Sequence, residues 1–199
     1  YHFEAGTTTA VTGNLGAGKS TFLRLITGKL APRSGQVLID GVEMQQILPD
    51  WWKAHYGYLP EEPYFLEETL HAYLGQWGGD DDSISMALVQ SGLKSVVDHL
   101  PRGADTSLRD HSLAGLKIRK RIGLAGIIAK QPPLIVLDEP TAGLDPQTAL
   151  IFYNFINRMI ADQRTLIIAT TDPIIIKGAG HYIIIDEQGR LKPGPKNTT

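Results

Sequence analysis

The chain has no cysteine among its 199 residues. Disulfide bonds, thiol catalysis and metal sites built on thiolates are therefore excluded together. A strong net charge is missing as well, because 19 basic and 21 acidic side chains leave a formal charge of −2. A chain so evenly balanced has no overall electrostatic attraction for nucleic acid, and we expect no nucleic acid among its partners.

Long hydrophobic runs are also missing. The longest ones, such as 134–137 and 183–185, fall far short of the ~20 apolar residues that span a bilayer, and we expect the chain as given to be soluble. It begins with neither an initiator methionine nor a signal-peptide pattern, so we expect an excised fragment. The hydrophobic fraction of 42% is nevertheless enough for the core of one globular domain.

Strand-like and helix-like patterns alternate at both ends of the chain. A β-branched stretch at 7–12 leads through glycines into a helical pattern, and continuous apolar runs follow at 134–137, 165–169 and 182–185. Such runs suit strands that are buried on both faces of a mostly parallel sheet. Their alternation with helices predicts the α/β class, and a hairpin at 36–41 adds an antiparallel part.

The strand signals fade in the middle of the chain, where helical patterns alternate with glycine and proline breaks. We predict a single domain in which residues 66–129 form an inserted helical subdomain. Residues 1–65 and 130–191 would then form the catalytic core. The polar tail at 192–199 is expected to be frayed.

The segment from Gly13 reads GNLGAGKST and matches G-x-x-x-x-G-K-[ST] between a predicted strand and a predicted helix. In this motif, main-chain N–H groups curl around phosphate oxygens, and the start of the helix adds positive potential. Lys19 is expected to reach the β- and γ-phosphates of ATP, and Ser20 to ligate Mg²⁺. A chance glycine-rich turn is the alternative. The predicted ATP-binding residues are Gly13, Asn14, Leu15, Gly16, Ala17, Gly18, Lys19, Ser20 and Thr21.

Two carboxylates, Asp138 and Glu139, come directly after the apolar run at 134–137. Parallel sheets place their ligand crevices at this end of their strands. Asp138 is predicted to hold Mg²⁺ or its water, and Glu139 to act as general base or to orient the attacking water. The alternative is a pair of solvated acids at a strand end. Asp145, further on, is explained by the capping of a helix that starts at Pro146.

Three segments, in this order and spacing, resemble the nucleotide-binding domain of ABC transporters. They are 13–21 (GNLGAGKST), 134–140 (LIVLDEP) and 141–145 (TAGLD). The resemblance implies a P-loop NTPase fold that binds ATP with Mg²⁺ and hydrolyses it.

The resemblance extends over nearly the whole chain. Residues 35–41 (GQVLIDG) and 56–66 (YGYLPEEPYFL) are similar to the early hairpin and the Q-loop segment of the family. Residues 100–106 (LPRGADT) look like the stretch that precedes the signature motif in exporters. The chain is most similar to exporters of the type I secretion and peptide-export sort.

The resemblance also implies two partners. A second nucleotide-binding domain would face this one head to tail, so that each ATP lies between one phosphate loop and the opposite signature motif. The transmembrane domain of the same transporter would be moved by this closure. The chain would then lie at the cytoplasmic face of the inner membrane.

Three positions that sense the γ-phosphate in this family are altered here. Glu61 stands in place of the Q-loop glutamine; it can still ligate Mg²⁺ or be a solvated loop acid. Thr171 stands in place of the switch histidine and cannot relay a proton as imidazole does; the nearest histidine, His181, resembles a strand residue. The signature LSGGQ is matched best by 113–117 (LAGLK), with Ser112 as another source of the hydroxyl.

A basic run opens the predicted signature helix, where cations oppose the helix dipole. It consists of Lys117, Arg119, Lys120 and Arg121. One hypothesis is that these cations face the γ-phosphate of the partner and compensate for the altered signature. The other is that they form a solvated face.

The predicted catalytic residues are Glu139, Lys19 and Thr171, and the predicted metal ligands are Ser20, Asp138 and Glu61. The leading hypothesis is a transport ATPase, which the retained glutamate favours. The alternative is a degenerate domain that binds ATP as a structural or regulatory ligand with little hydrolysis, which the lost histidine favours. A soluble ABC-type ATPase of DNA maintenance or translation is a third class, and the exporter-like segment speaks against it.

Overall fold

The computed structural model describes residues 1–66, 68–76 and 80–194. Contacts divide the chain into two compact units. The first unit comprises residues 1–58 and 132–139 and the described residues from 159 onward. The second unit comprises residues 59–131 and 140–158.

Within the described residues the chain forms eight strands. They are β1 (Thr8–Gly13), β2 (Leu38–Ile39), β3 (Val42–Glu43), β4 (Tyr56–Leu59), β5 (Leu134–Asp138), β6 (Thr165–Ala169), β7 (His181–Ile185) and β8 (Leu191–Pro193). Six of them make one sheet in the order β4-β5-β6-β1-β7-β8, and β2 pairs with β3. Strands β5, β6, β1 and β7 run parallel, whereas β8 is antiparallel to β7. The predicted α/β class with a mostly parallel sheet and an antiparallel part is confirmed.

The helices are α1 (Lys19–Ile26), α2 (Pro49–His55), α3 (Leu70–Gly75), α4 (Asp81–Gln90), α5 (Lys94–Asp98), α6 (Leu116–Lys130), α7 (Pro146–Ala161) and α8 (Pro173–Gly178). Short 3₁₀ turns lie at Met44–Gln46, Gly103–Asp105 and His111–Leu113. In the part of the chain that the structure describes, none of the helices has both the length and the apolar character needed to cross a bilayer.

Strand β1 lies in the interior of the sheet, because it pairs with β6 on one side and β7 on the other. Thr9 on β1 is opposite both Ile167 and His181. Strands β5 and β6 are each buried along their last four residues, as expected for strands covered on both faces. The parallel arrangement brings the carboxyl ends of β1, β5 and β6 to one edge of the sheet.

The second unit has a core of its own. It is built mainly from α3, α4 and α6 and the segments between them. Its buried apolar side chains are Phe65, Leu70, Leu74, Ile84, Ala87, Leu88, Leu93, Val97, Leu108, Leu113, Ile122 and Ala125. That residues 66–129 alone constitute a subdomain stays a prediction.

The structure agrees with the predicted hairpin turn and corrects the predicted frayed tail. The expected hairpin turn is at Asp40-Gly41, where both residues have positive φ (+49° and +82°), as two-residue hairpin loops require. Lys192 and Pro193, assigned to a frayed tail from sequence, belong to β8 at the edge of the sheet, where a proline is tolerated. The remainder of that predicted tail, residues 195–199, lies outside the described residues.

Close packing of α6 against α3 gives a first prediction. A Cβ on Gly126 would lie 2.5 Å from the Tyr73 hydroxyl oxygen and 2.9 Å from its ring. Alanine favours helix by about 1 kcal/mol over glycine, but we expect Gly126→Ala to destabilise the fold by about 1–3 kcal/mol because the stiff ring cannot yield. Urea denaturation measures this change.

Gly178→Ala is the matched control, because no atom from elsewhere in the described fold lies within 4 Å of a Cβ at this position at the end of α8. It should leave the free energy of unfolding unchanged or raise it. Equal losses in the two variants would contradict the packing argument.

Candidate functional site

The phosphate loop joins β1 to α1, and two of its positions favour glycine for different reasons. A Cβ on Gly13 would lie 2.6 Å from the Ile185 carbonyl oxygen, so the close approach of the two strands requires glycine. Gly18 is the N-cap of α1 and has a left-handed φ of +94°. A Cβ on Gly16 or Gly18 would meet no atom within 4 Å. The loop is therefore open on the side to which these two glycines turn.

The start of α1 fits an anion. Gly18 offers no side-chain cap, and the first turn contains no acidic residue. The first N–H groups of a helix have no partner within the helix and carry its positive dipole end. Leu15, at the tip of the loop, is fully exposed. Main-chain donors, open space and the absence of a first-turn carboxylate together suit a chain of phosphates.

Lys19 and Glu139 meet beside this loop. The Lys19 Nζ lies 3.5 Å from Glu139 Oε1, and the two side chains are only 8% and 13% exposed. The same Nζ donates a hydrogen bond of 3.1 Å to the Gly13 carbonyl oxygen. A lysine and a glutamate buried to this extent need such partners, because an isolated buried charge is very unfavourable.

Glu139 is held by its main chain as well as its side chain. Its φ is +42°, and its N–H donates to the Ala169 carbonyl oxygen at 2.8 Å, one residue beyond the end of β5. Glu139 Oε2 accepts a hydrogen bond of 3.2 Å from the main-chain N–H of Thr171. The preceding Thr170 is fully buried, and its N–H donates to the Val11 carbonyl oxygen at 2.9 Å. The structure thus brings Lys19, Glu139 and Thr171 together, with Thr171 contributing its amide.

Asp138 ends β5 and is only 2% exposed. The Tyr58 hydroxyl donates to Asp138 Oδ2 over 3.5 Å, a long hydrogen bond. Burial, followed by the negative charge of Asp138, raises the pKa of Tyr58 to about 12, so the phenol keeps its proton and remains a donor. Nothing in the sequence marks Tyr58, because its position beside Asp138 depends on the pairing of β4 with β5.

The donor set suits Mg²⁺ bound together with phosphates. Among the described residues, no group of three histidine, cysteine, aspartate or glutamate side chains could hold a metal by itself. Mg²⁺ is usually bound by one or two carboxylates with substrate phosphates supplying further ligands. Asp138 at the end of β5 and Ser20 in the first turn of α1 are protein donors of this kind at the carboxyl edge of the sheet.

Two further predicted residues have simpler surroundings. Glu61 is exposed and follows β4 in the second unit, and its role as a metal ligand stays a prediction. His181 is the exposed first residue of β7, as its strand-like pattern predicts. Its Cα pairs with Thr9, which lies near the beginning of β1, whereas the phosphate loop follows the strand's other end.

The signature segment 113–117 leads into α6, which starts at Leu116 with Gly115 as N-cap. Leu113 is buried, whereas the other four residues of the segment are exposed. The Ser112 hydroxyl, considered as a substitute for the signature serine, donates to Asp110 Oδ1 at 2.6 Å. This hydroxyl is therefore engaged within its own turn.

The four cations of the basic run at the start of α6 differ in their surroundings. Lys120 is fully buried and donates to the Ala142 carbonyl oxygen at 2.8 Å. Arg121 Nε donates to the Ser91 carbonyl oxygen at 3.0 Å. The Arg119 guanidinium lies 5.7 Å from the centre of the Tyr64 ring, and the Lys117 Nζ donates to Asp145 Oδ2 at 3.0 Å. The solvated-face hypothesis is wrong for Lys120, which also excludes this residue from facing a nucleotide.

Asp145 caps α7, as its position before Pro146 predicts. Its Oδ1 accepts the Thr148 N–H at 3.0 Å and its Oδ2 accepts the Thr148 hydroxyl at 2.8 Å. The hydrogen bond from Lys117, followed by those from Thr148, holds the pKa of Asp145 well below its usual range. The carboxylate is therefore ionised wherever the protein is folded at ordinary pH.

Comparison with known proteins gives a consistent result. A family model described as ABC transporter matches residues 1–142. The chain is 30% identical over 170 residues to ABC transporter B family member 21 of Arabidopsis thaliana, which covers 83% of this chain and 13% of that protein. It is 28% identical over 192 residues to the ATP-dependent lipid A-core flippase of Bordetella avium (strain 197N), covering 90% of this chain and 32% of the flippase.

A solved structure, of a bacterial Atm1-family ABC exporter with ATP bound, superposes on this chain with a TM-score of 0.85 at 26% identity. The match covers 98% of this chain and 34% of the exporter chain. The chain therefore spans between 13% and 34% of the length of these proteins.

The ion pair of Asp145 gives a second prediction. A carboxylate whose pKa is lowered by folding stabilises the fold fully above its unfolded pKa of about 3.9, and this contribution is lost as the pH falls below that value. We expect Asp145→Ala to lower the free energy of unfolding at pH 7, and the difference from the parent chain to shrink steadily below about pH 4. Urea denaturation across this pH range measures it.

Asp145→Asn separates the cap from the ion pair, because an asparagine oxygen can still accept the Thr148 N–H. This variant should lie between the parent and Asp145→Ala at pH 7. A parent advantage that stays constant down to pH 2 would show that the carboxylate charge is not the cause.

Proposed function

The chain belongs to the ABC transporter family, and we propose that it is the ATP-binding and ATP-hydrolysing domain of an exporter. The observation that carries this proposal is the meeting of Lys19, Glu139 and the Thr171 amide beside a phosphate loop. The similarity to a flippase and to an exporter chain, each about three times as long as the matched region, supports a transmembrane partner. The domain would lie at the cytoplasmic face of the membrane.

Binding would be carried by the loop from Gly13 to Thr21. Its main-chain N–H groups would surround the phosphates, and Lys19 would place its charge against the β- and γ-phosphates. Ser20 and Asp138 would be the protein ligands of Mg²⁺, with Glu61 as a further candidate. The metal, when bound, neutralises charge that develops on the phosphate oxygens.

Hydrolysis would depend on Glu139. Its carboxylate can accept a proton from a water molecule that attacks the γ-phosphorus, while the bond to the β-γ bridging oxygen breaks and ADP leaves. The Thr171 amide fixes Oε2, so the carboxylate is oriented without help from an imidazole. Transport would follow from head-to-tail closure against a second nucleotide-binding domain, which the γ-phosphate stabilises and its loss reverses.

A second candidate function is a domain that holds ATP as a structural or regulatory ligand with little turnover. The exposed Thr171 side chain favours it, because a hydroxyl cannot store a proton at neutral pH as an imidazole can. The two candidate functions share the ATP-binding site. They differ only in whether Glu139 promotes hydrolysis of the bound ATP.

The decisive experiment compares variants of the full-length protein in lipid vesicles. Glu139→Gln should lower ATP turnover by about 10²-fold or more, as expected for the loss of a general base, and should leave Mg²⁺-dependent ATP affinity nearly unchanged. Lys19→Ala should weaken that affinity by about tenfold or more, because it removes a charge-assisted contact to phosphate. His181→Gln is the control and should change neither quantity.

The outcomes discriminate between the candidates. Turnover in the parent protein no higher than in Glu139→Gln would favour the ligand-binding domain over the transport ATPase. ATP affinity that Lys19→Ala leaves intact would refute both.

A further prediction separates the amide of Thr171 from its side chain. Thr171→Ala keeps the N–H and should keep turnover close to that of the parent. Thr171→Pro removes the N–H, and we expect kcat to fall by about tenfold or more, the equivalent of one hydrogen bond to a charged group. KM should stay unchanged, because this amide donates to the Glu139 carboxylate and the phosphate loop is left intact. An equal loss of kcat in Thr171→Ala would instead assign the role to the hydroxyl.

A further inference from the structure

The start of α6 carries four cations in a position that a helix disfavours. Lys117, Arg119, Lys120 and Arg121 lie within the first six residues, and the first turn holds no acidic residue to balance them. Positive charges at this end oppose the helix dipole. Their placement therefore calls for interactions outside the helix.

Two of these cations bind one short loop, the residues 141–145 that join β5 to α7. The Lys120 Nζ donates to the Ala142 carbonyl oxygen at 2.8 Å, and the Lys117 Nζ donates to Asp145 Oδ2 at 3.0 Å. Gly143 lies between these two attachments and close to the helix, since a Cβ on Gly143 would be 3.3 Å from Leu116 Cδ2. All the residues involved belong to the second unit.

Lys117, Lys120 and Leu116 lie on one side of the helix, because Lys120 follows Lys117 by three positions and Leu116 by four, and residues at these spacings are neighbours on a helix surface. The loop itself is a closed turn, in which the Leu144 N–H donates to the Thr141 carbonyl oxygen at 3.2 Å and Asp145 caps α7. Hydrogen bonds therefore join the helix to the loop at two points, Ala142 and Asp145.

Close packing at position 120 does not by itself require a lysine. The Lys120 side chain is among the largest of those that are fully buried in the described part of the chain. An apolar side chain of similar length would fill the same space, whereas a buried ammonium needs hydrogen bonds. Its bond to a main-chain carbonyl fixes where the loop lies along α6, and fixing geometry is the best-attested use of buried polar groups.

We propose that Lys117 and Lys120 form a latch that fixes the loop 141–145 to the first turns of α6, so that the signature segment 113–117 and this loop move together. In the sequence, Glu139 and Pro140 lead directly into the loop. The signature segment is the part that, under the proposed function, meets the nucleotide of the second domain. The latch then couples ATP binding at the phosphate loop of this domain to the contact between its signature segment and the other ATP. This inference rests on the proposed function.

Lys117 differs from the residue that the family signature has at the matched position. In the family signature LSGGQ, the position matched by Lys117 is a glutamine, which is uncharged and cannot form an ion pair with Asp145. The Lys117 charge, which opposes the dipole of α6, is directed to Asp145 in the loop. Lys117 and Lys120 are thus positioning residues that act through the signature segment.

The test uses the full-length protein in lipid nanodiscs, with Glu139→Gln as the parent so that ATP is not consumed. This chain contributes no cysteine, so Val89→Cys on the exposed side of α4 provides a spin-label site. Closure of the two domains is followed by electron paramagnetic resonance as Mg²⁺-ATP is added. Binding of ATP is measured separately with a fluorescent analogue.

Lys120→Met removes the ammonium and keeps the length of the side chain. We expect it to raise the ATP concentration for half-closure by about fivefold or more, the lower end of typical coupling between sites, with unchanged affinity for the analogue. Lys117→Gln should cause a smaller shift in the same direction, and Lys117→Arg should restore closure. Lys94→Met, which removes an exposed ion pair with Asp98 elsewhere in the second unit, is the matched control.

Half-closure at the parent concentration in both Lys120→Met and Lys117→Gln would overturn the latch. So would a loss of ATP affinity in proportion to the loss of closure, because that pattern indicates general destabilisation. Should Lys120→Met fail to fold, the comparison of Lys117→Gln with Lys117→Arg decides the matter.

Failure of the proposed function gives a different result, in which the parent itself does not close with ATP. The latch is then judged by hydrogen exchange. Lys120→Met should speed exchange of the amides in 141–145 by about fivefold or more relative to Lys94→Met, and equal exchange would overturn the latch in that case also.

Discussion

The pairing of β1 with two parallel neighbours is the constraint on which the candidate site depends. Because β6 and β7 flank β1, the carboxyl end of β1 opens at the middle of the sheet edge, and the phosphate loop starts there. The same pairing fixes Thr170 through its bond to the Val11 carbonyl oxygen, and thereby aims the next amide at Glu139. Main-chain hydrogen bonds, more than side-chain contacts, therefore set the geometry of the predicted catalytic residues.

Electrostatic interactions then position the side chains of Lys19 and Glu139. Lys19 and Glu139 are both largely buried and 3.5 Å apart. At such burial the cost of removing two charges from water is comparable with their attraction, so additional hydrogen bonds decide whether the pair is tolerated. The Gly13 carbonyl oxygen serves the lysine and the Thr171 amide serves the glutamate. The positive end of α1 favours the same side of the sheet for phosphate.

The sequence predicts those parts of this arrangement that depend on local order. The phosphate loop, the apolar strand before Asp138 and the capping by Asp145 are each contained in a few consecutive residues. The contact between Tyr58 and Asp138 joins residues far apart in sequence and requires the strand order. The role of Thr171 leaves no signal, because every residue except proline has the same N–H. Helices α2, α5 and α8 have five to seven residues, too few for a helical period to show.

The basic run shows why a pattern of charges in the sequence does not reveal what those charged side chains bind. Both hypotheses drawn from it assume that a cation faces water or a phosphate, whereas Lys120 and Arg121 bind main-chain carbonyl oxygens inside the second unit. A carbonyl is a good partner for a buried ammonium, since it supplies negative potential without a second charge to desolvate. It also belongs to the main chain, so its position is that of the loop itself. A lysine bound in this way fixes a backbone, and this is why its effect on nucleotide sites is expected through geometry and not through its charge.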